Sequence, residues 1–237
     1  MKSVHFLSIA FIVLIVSCTG TDIGKTVGDA WANRPVTEAE AAEGIKEALT
    51  IGISKGADEV ARTDGYYGNP IIRIVFPPKA AKVEKTLRDV GLGAEVDKAI
   101  LSLNRAAEDA ATEAKPIFIN AIKQLTIRDA FNIVRGPNDA ATTYLKNKTA
   151  DDLTAAFKPK IETSLNKVNA TKYWADIMGL YNKIPFVEPV ETDLPTYVTQ
   201  EAIDGLFFKI SEEELRIREN PIARTTELLK RVFGNKN

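Results

Sequence analysis

Thr37 to Arg62 reads TEAEAAEGIKEALTIGISKGADEVAR, and this stretch decides the fold class. Thr37 followed three residues later by Glu40 is a capping-box start, in which each side chain satisfies a backbone N–H at the head of a helix. Ile45, Leu49, Ile53, Gly56 and Val60 come next at spacings of three or four, so they form one stripe facing a core. Gly52 and Gly56 on the same helix predict a close crossing with a neighbouring helix.

Moving outward, the start and stop signals remain helical. Only Gly65 to Pro78 (GYYGNPIIRIVFPP) breaks the pattern: Gly, Asn and Pro bound the β-branched run Ile71 to Phe76. This predicts an extended segment, one strand or a short hairpin, lying across the helices. Helices are predicted over about 79–90 and 95–114, and another opens near Pro116. Thr126 with Asp129 and Thr149 with Asp152 read as two further starts, and Gly136-Pro137-Asn138 separates the helices between them. Helices over about 151–169 and 172–183 follow, then a loop over 184–195 that holds three prolines. Thr199 begins a long helix to Glu219, and Asn220-Pro221 caps a last one to Phe233. No internal repeat or composition shift divides the chain. The expected fold is mainly α: one compact domain of about nine helices over 37–237, with one extended segment or hairpin near 65–78.

Composition narrows the chemistry. Of 237 residues, 45 % are hydrophobic and 27 % charged, with 31 basic against 32 acidic groups. That is ordinary globular usage. The informative counts are one histidine (His5), one cysteine (Cys18) and two methionines (Met1, Met178). All but Met178 fall in the first 18 residues. If that segment is a processed signal, the folded part has no Ser-His-Asp or Cys-His catalysis, no Cys/His zinc site, no His-ligated haem and no dithiol chemistry.

Met1 and Lys2 give a short positive start, and Phe6 to Val16 (FLSIAFIVLIV) is an apolar run of 11 residues, the size of a signal and too short to span a bilayer. It ends in Ile15-Val16-Ser17-Cys18, which resembles the bacterial lipobox. The resemblance implies that residues 1–17 are removed and that Cys18 carries a diacylglyceryl thioether and an amide-linked acyl chain such as palmitate. Several acyl chains, at roughly 0.8 kcal/mol per buried CH₂, make such attachment effectively permanent. The remaining 220 residues would carry 30 basic and 32 acidic groups, since Lys2 is the only charge removed. That balance does not suit a polyanion binder, and no nucleic-acid partner is expected. Residues 18–36 read as a tether. Thr19, in place of aspartate, resembles lipoproteins sorted to the outer membrane, here facing the periplasm.

From Gly44 to Gly234 the order of signatures resembles a bacterial family called domain of unknown function 4197. The matching stretches include Gly44 to Leu49, Asp64-Gly65-Tyr66, Ile72-Arg73-Ile74, Leu103 to Glu108, Asp204 to Phe207, and Asn220 to Thr225 running into Leu228-Leu229-Lys230. The resemblance implies a helical fold and an envelope setting, and no activity, substrate or site.

The polar residues most able to carry function lie in Asn104-Arg105-Ala106-Ala107-Glu108-Asp109. Alanines let helices approach closely, and a carboxylate buried on such a face needs a partner. Arg73, the only charge in the extended run, is the candidate. Arg73, Asn104, Arg105 and Glu108 therefore read either as an Arg-carboxylate site for a polar ligand group or as an ion-pair network pinning the extended segment to the helices. A second cluster, Arg216, Arg218, Arg224, Lys230 and Arg231 with Glu212, Glu213, Glu214 and Glu219, reads as a solvated, self-paired face. Tyr66, Tyr67, Tyr173, Trp174, Tyr181, Phe186, Phe207 and Phe208 read as core or as walls of a ligand cavity. No phosphate loop, metal motif or nucleophile elbow is present, and no cofactor is implied.

Three functions follow as expectations. The first is a membrane-anchored envelope lipoprotein with a non-catalytic interaction or scaffold domain, engaging an envelope protein. The second is a carrier or sensor holding a small or lipid-like ligand. The third is a carboxylate enzyme using Glu108 or Asp109.

Overall fold

Thr37 caps the first helix as its sequence predicts: its Oγ1 accepts from the Glu40 N–H at 3.3 Å, and Glu40 Oε2 accepts from the Thr37 N–H at 3.0 Å. The computed structural model describes residues 37–167, 169–183, 193–220, 226 and 230. The signal, Cys18, the tether, Phe186, Arg224, Arg231, most of the proline-rich loop and the helix expected over 221–233 lie outside the described residues.

Among the described residues there are α-helices and no strands. The helices are α1 (Glu38–Ala61), α2 (Ala81–Asp89), α3 (Gly93–Ala110), α4 (Ala114–Lys123), α5 (Ile127–Arg135), α6 (Ala140–Lys167), α7 (Ala170–Tyr181) and α8 (Leu194–Glu219). Short 3₁₀ turns, Pro78–Ala80 and Ala111–Glu113, lead into α2 and α4. Thr126 and Asp129 form the expected capping box on α5.

Packing follows residue size. α3 is central and touches α1, α2, α6, α7 and α8. Its contact face is alanine-rich: Ala99, Ala106, Ala107 and Ala110 are all buried. Such small side chains let neighbouring backbones come close and leave room for the larger Leu103, Phe118, Phe157 and Ile161 of the same core. The crossing predicted at Gly52 and Gly56 is that of α1 with α8. The Ile210 nitrogen lies 3.5 Å from where a Gly56 Cβ would stand.

Four expectations need correction. The helix expected after Gly136-Pro137-Asn138 and the one expected from about 151 are a single helix, α6, which runs through Thr149 and Asp152 to Lys167. Thr149 is buried and its Oγ1 donates to the Leu145 carbonyl at 2.8 Å, one turn back, instead of capping. The count among the described residues is thus eight α-helices, against the nine or so expected. The long helix begins at Leu194, not Thr199: Asp193 caps it and Pro195 sits in its first turn, where a missing N–H costs nothing. Finally, Gly65 to Pro78 forms neither strand nor hairpin. Residues 63–68 and 70–72 turn, and 73–77 are irregular. Burial still alternates, with Ile72, Ile74 and Phe76 inside and Ile71 and Val75 outside, as in an extended chain.

Candidate functional site

The expected cluster is built around the turn that leaves α1. Asp64 adopts a left-handed backbone (φ 63°), and a Cβ on Gly65 would stand 2.5 Å from the carbonyl oxygens of Glu59 and Val60. No side chain fits there, so glycine is required for the turn to fold back on the helix end. The turn aims two backbone N–H groups, those of Tyr66 and Tyr67, at α3. Glu108 Oε1 accepts both, at 3.2 and 3.3 Å. Its other oxygen, Oε2, accepts from Arg105 Nη1 at 2.6 Å, one turn back on α3. Arg105 also donates through Nη2 to Asp64 Oδ1 at 2.8 Å. Glu108 is 4 % exposed, so both oxygens are committed in a buried position.

Tyr66 extends the clamp to α8. Its buried hydroxyl donates to the Ala202 carbonyl at 2.6 Å. Burial, reinforced by the Glu108 charge, pushes the phenol well above its ordinary value, so it stays protonated and donating. A Cβ on Gly205 would lie 2.7 Å from the Tyr66 ring, so a glycine on α8 makes space for that ring.

Asn104 holds the extended segment. Its Oδ1 accepts from the Ile74 N–H at 2.9 Å, and its Nδ2 donates to the Ile74 carbonyl at 2.7 Å and to the Ile100 carbonyl at 2.8 Å. The carboxamide thus exchanges both bonds with one residue, as a neighbouring strand would. That is how a lone buried segment satisfies its backbone without a sheet. Ile74 is 1 % exposed and Asn104 0 %.

Arg73 does not pair with Glu108. Its guanidinium lies over the Tyr67 ring, 4.0 Å from the centroid, and its Nε is buried with no hydrogen-bond partner. Arg105, from the same helix as Glu108, takes the place expected for Arg73. Asp109, the other acid considered for catalysis, accepts a hydrogen bond from the Ser164 hydroxyl on α6. The structure therefore joins Asn104, Arg105 and Glu108 to the extended region, with Arg73 beside them and outside the ion-pair network.

In the described part of the second cluster Glu213 pairs with Arg216 and Glu214 with Arg218, but these two acids are not solvated. Glu213 and Glu214 are 6 % and 9 % exposed. Glu213 receives Lys55 of α1 at 2.7 Å and Arg216 Nε at 2.8 Å. Glu214 reaches the N-terminus of α6, accepting from the N–H groups of Ala141 (3.0 Å) and Thr142 (2.8 Å), and from Arg218 Nε at 2.9 Å. A carboxylate meeting unpaired donors at the positive end of a helix is favourable. Nothing in the local sequence identifies Glu214 as the cap of a helix some 70 residues away.

The described aromatics pack in or against the core. Trp174 meets Phe76 edge to face at 5.1 Å, and Phe207 meets Phe118 at 5.6 Å. Tyr181 is buried, and Tyr67, Tyr173 and Phe208 are packed against the core. An apolar cavity between α1, α5 and α8, lined by Ile45, Leu49, Ile53, Ile133 and Ile210, measures about 30 Å³. Among the described residues no group of three or more acids, histidines or cysteines is placed to hold a metal ion, and no helix is long and apolar enough to cross a membrane.

A family model described as "Protein of unknown function (DUF4197)" matches residues 35–234. The chain belongs to this family. No curated protein and no solved structure matches it. In this DUF4197 chain, three of the stretches that carry the resemblance meet in space: Asp64-Gly65-Tyr66 at the turn, Leu103 to Glu108 on α3, and Asp204 to Phe207 on α8. Gly65 shapes the turn, Gly205 makes room for the Tyr66 ring, and Asn104 and one Glu108 oxygen are spent on holding backbone.

Proposed function

We infer that this DUF4197 protein is a lipid-anchored component of the bacterial cell envelope, attached through Cys18, whose helical domain is a non-catalytic interaction or scaffold module. The observation that carries the non-catalytic reading is Glu108. A general acid or base needs a carboxyl oxygen within reach of substrate. Both Glu108 oxygens are instead bonded to Arg105 and to the N–H groups of Tyr66 and Tyr67, at 4 % exposure.

The carrier reading has less support. The apolar cavity of about 30 Å³ holds little more than a water molecule, and the larger clefts, about 320 Å³ beside Tyr144 and about 660 Å³ along Lys55 and Arg62, lie open to solvent instead of enclosing a ligand. The lipidated location rests on the Ile15-Val16-Ser17-Cys18 sequence, with the outer membrane facing the periplasm as the proposed site and an envelope protein as the proposed partner.

Membrane fractionation with mass spectrometry of the N-terminal peptide tests the anchor. The protein is expected in the membrane fraction with a diacylglyceryl-modified Cys18, and Cys18→Ser with neither the lipid nor cleavage before residue 18. A native N-terminal peptide without the diacylglyceryl group, or a Cys18→Ser chain still cleaved before residue 18, would overturn the anchoring. Turnover that disappears in Glu108→Gln while the fold is retained would overturn the non-catalytic reading.

A further inference from the structure

Arg73 is a cation left over when the local charges are paired. The nearby carboxylates, Asp64 and Glu108, both go to Arg105. Arg73 has the Tyr67 ring and no carboxylate within ion-pair distance among the described residues, and its buried Nε has no acceptor. A guanidinium held rigid on an aromatic face, without a counter-ion, is pre-organised to take a carboxylate through its remaining N–H groups.

The backbone around it is equally incomplete. Asn104 occupies one edge of the segment at Ile74. In an extended chain the neighbouring residues direct their N–H and C=O groups to the opposite edge. On that edge Tyr197 donates to the Val75 carbonyl at 3.2 Å, and the Arg73 N–H bonds to Asn69. The Val75 N–H and the Arg73 carbonyl have no partner among the described residues. Flanking Arg73 on the outward face, Ile71 is 66 % and Val75 48 % exposed. Arg73 and Val75 thus stand two residues apart beside a partly open backbone edge, with Ile71 exposed in the turn that leads into it.

We propose that residues 71–75 are a docking edge for an extended segment of a partner protein that carries an acidic residue between two apolar ones at alternate positions. The carboxylate pairs with Arg73, the apolar side chains lie against Ile71 and Val75, and the backbone adds to the Val75 N–H and Arg73 carbonyl. This deepens the interaction-module reading and rests on it. Failure of Cys18 acylation would remove the anchor and leave peptide binding measurable, whereas failure of peptide binding removes only the edge.

The test is selection of a displayed random peptide library against the full chain, followed by affinity measurement on a synthesised winner. Enrichment of the pattern apolar-x-acid-x-apolar is expected, with affinity falling at least tenfold in Arg73→Gln and in Val75→Asp. Val75 is exposed, so its variant keeps the fold, and circular dichroism checks both. No enrichment, enriched peptides without an acid, or undiminished affinity in either folded variant would overturn the proposal. So would binding to phosphatidylglycerol vesicles that Arg73→Gln abolishes in the absence of any enriched peptide, because the arginine would then serve a lipid surface.

Discussion

Replacing Asn104 by alanine removes three hydrogen bonds, and the two to Ile74 have no substitute. Ile74 is 1 % exposed, so its N–H and C=O lose their partner without gaining water. Each buried group left unpaired costs about 1–3 kcal/mol, which places Asn104→Ala at roughly 2–6 kcal/mol. That is a large part of the roughly 5–15 kcal/mol by which a domain is stable. Asn104→Asp keeps the shape but loses the donor and sets a carboxylate beside the Ile74 carbonyl, so it should cost at least as much. Urea unfolding followed by circular dichroism gives the global value. Fluorescence of Trp174, which packs on Phe76 of the same segment, reports whether the segment lets go first. A loss below about 1 kcal/mol with unchanged Trp174 emission would show that Ile74 does not depend on the carboxamide, and the clamp description would be wrong.

Glu214→Ala strands the Ala141 and Thr142 N–H groups and removes one partner of Arg218, so a loss of about 3–5 kcal/mol is expected in the same unfolding assay. Glu219→Ala, at the exposed end of α8, should change stability by less than about 0.5 kcal/mol. The Asp129 carboxyl is held below its ordinary value, chiefly by the Thr126 side-chain and backbone hydrogen bonds. Its contribution is therefore fully present above about pH 4 and is lost as pH falls through the lowered value. The stability difference between the native chain and Asp129→Asn should accordingly be largest near neutrality and shrink toward pH 3, and a difference that grows on acidification would contradict the capping geometry.

What the sequence makes legible is what depends on neighbours in the chain. Thr37 with Glu40 and Thr126 with Asp129 cap as their spacing predicts, because a capping box is closed by residues three apart. Thr149 and Asp152 share that spacing and do not cap. Leu145, Leu153, Phe157 and Ile161 carry one buried stripe straight through them, and the packing of that stripe outweighs the local start signal. The importance of Asn104, Arg105 and Glu108 is legible in their alanine surroundings, but their partners are not. Glu108 is met by an arginine of its own helix and by backbone groups of a turn 41 and 42 residues away, and backbone donors leave no mark in composition. Glu213 and Glu214 look like members of a solvated charged face. Glu213 is buried where α8 crosses α1 at Gly52, and Glu214 where it meets the N-terminus of α6, tertiary facts that charge spacing alone does not contain.

Amide hydrogen exchange at Tyr66, Tyr67 and Ile74 distinguishes a clamp from an open ligand site most directly. These N–H groups lie outside any helix, and their protection comes only from Glu108 and Asn104. They should exchange as slowly as core helix amides, and Glu108→Gln should speed Tyr66 and Tyr67 while sparing Ile74. Exchange at the rate of an exposed loop in the native chain would show that the carboxylate and carboxamide are free, and would return Glu108 to the list of residues able to meet a ligand.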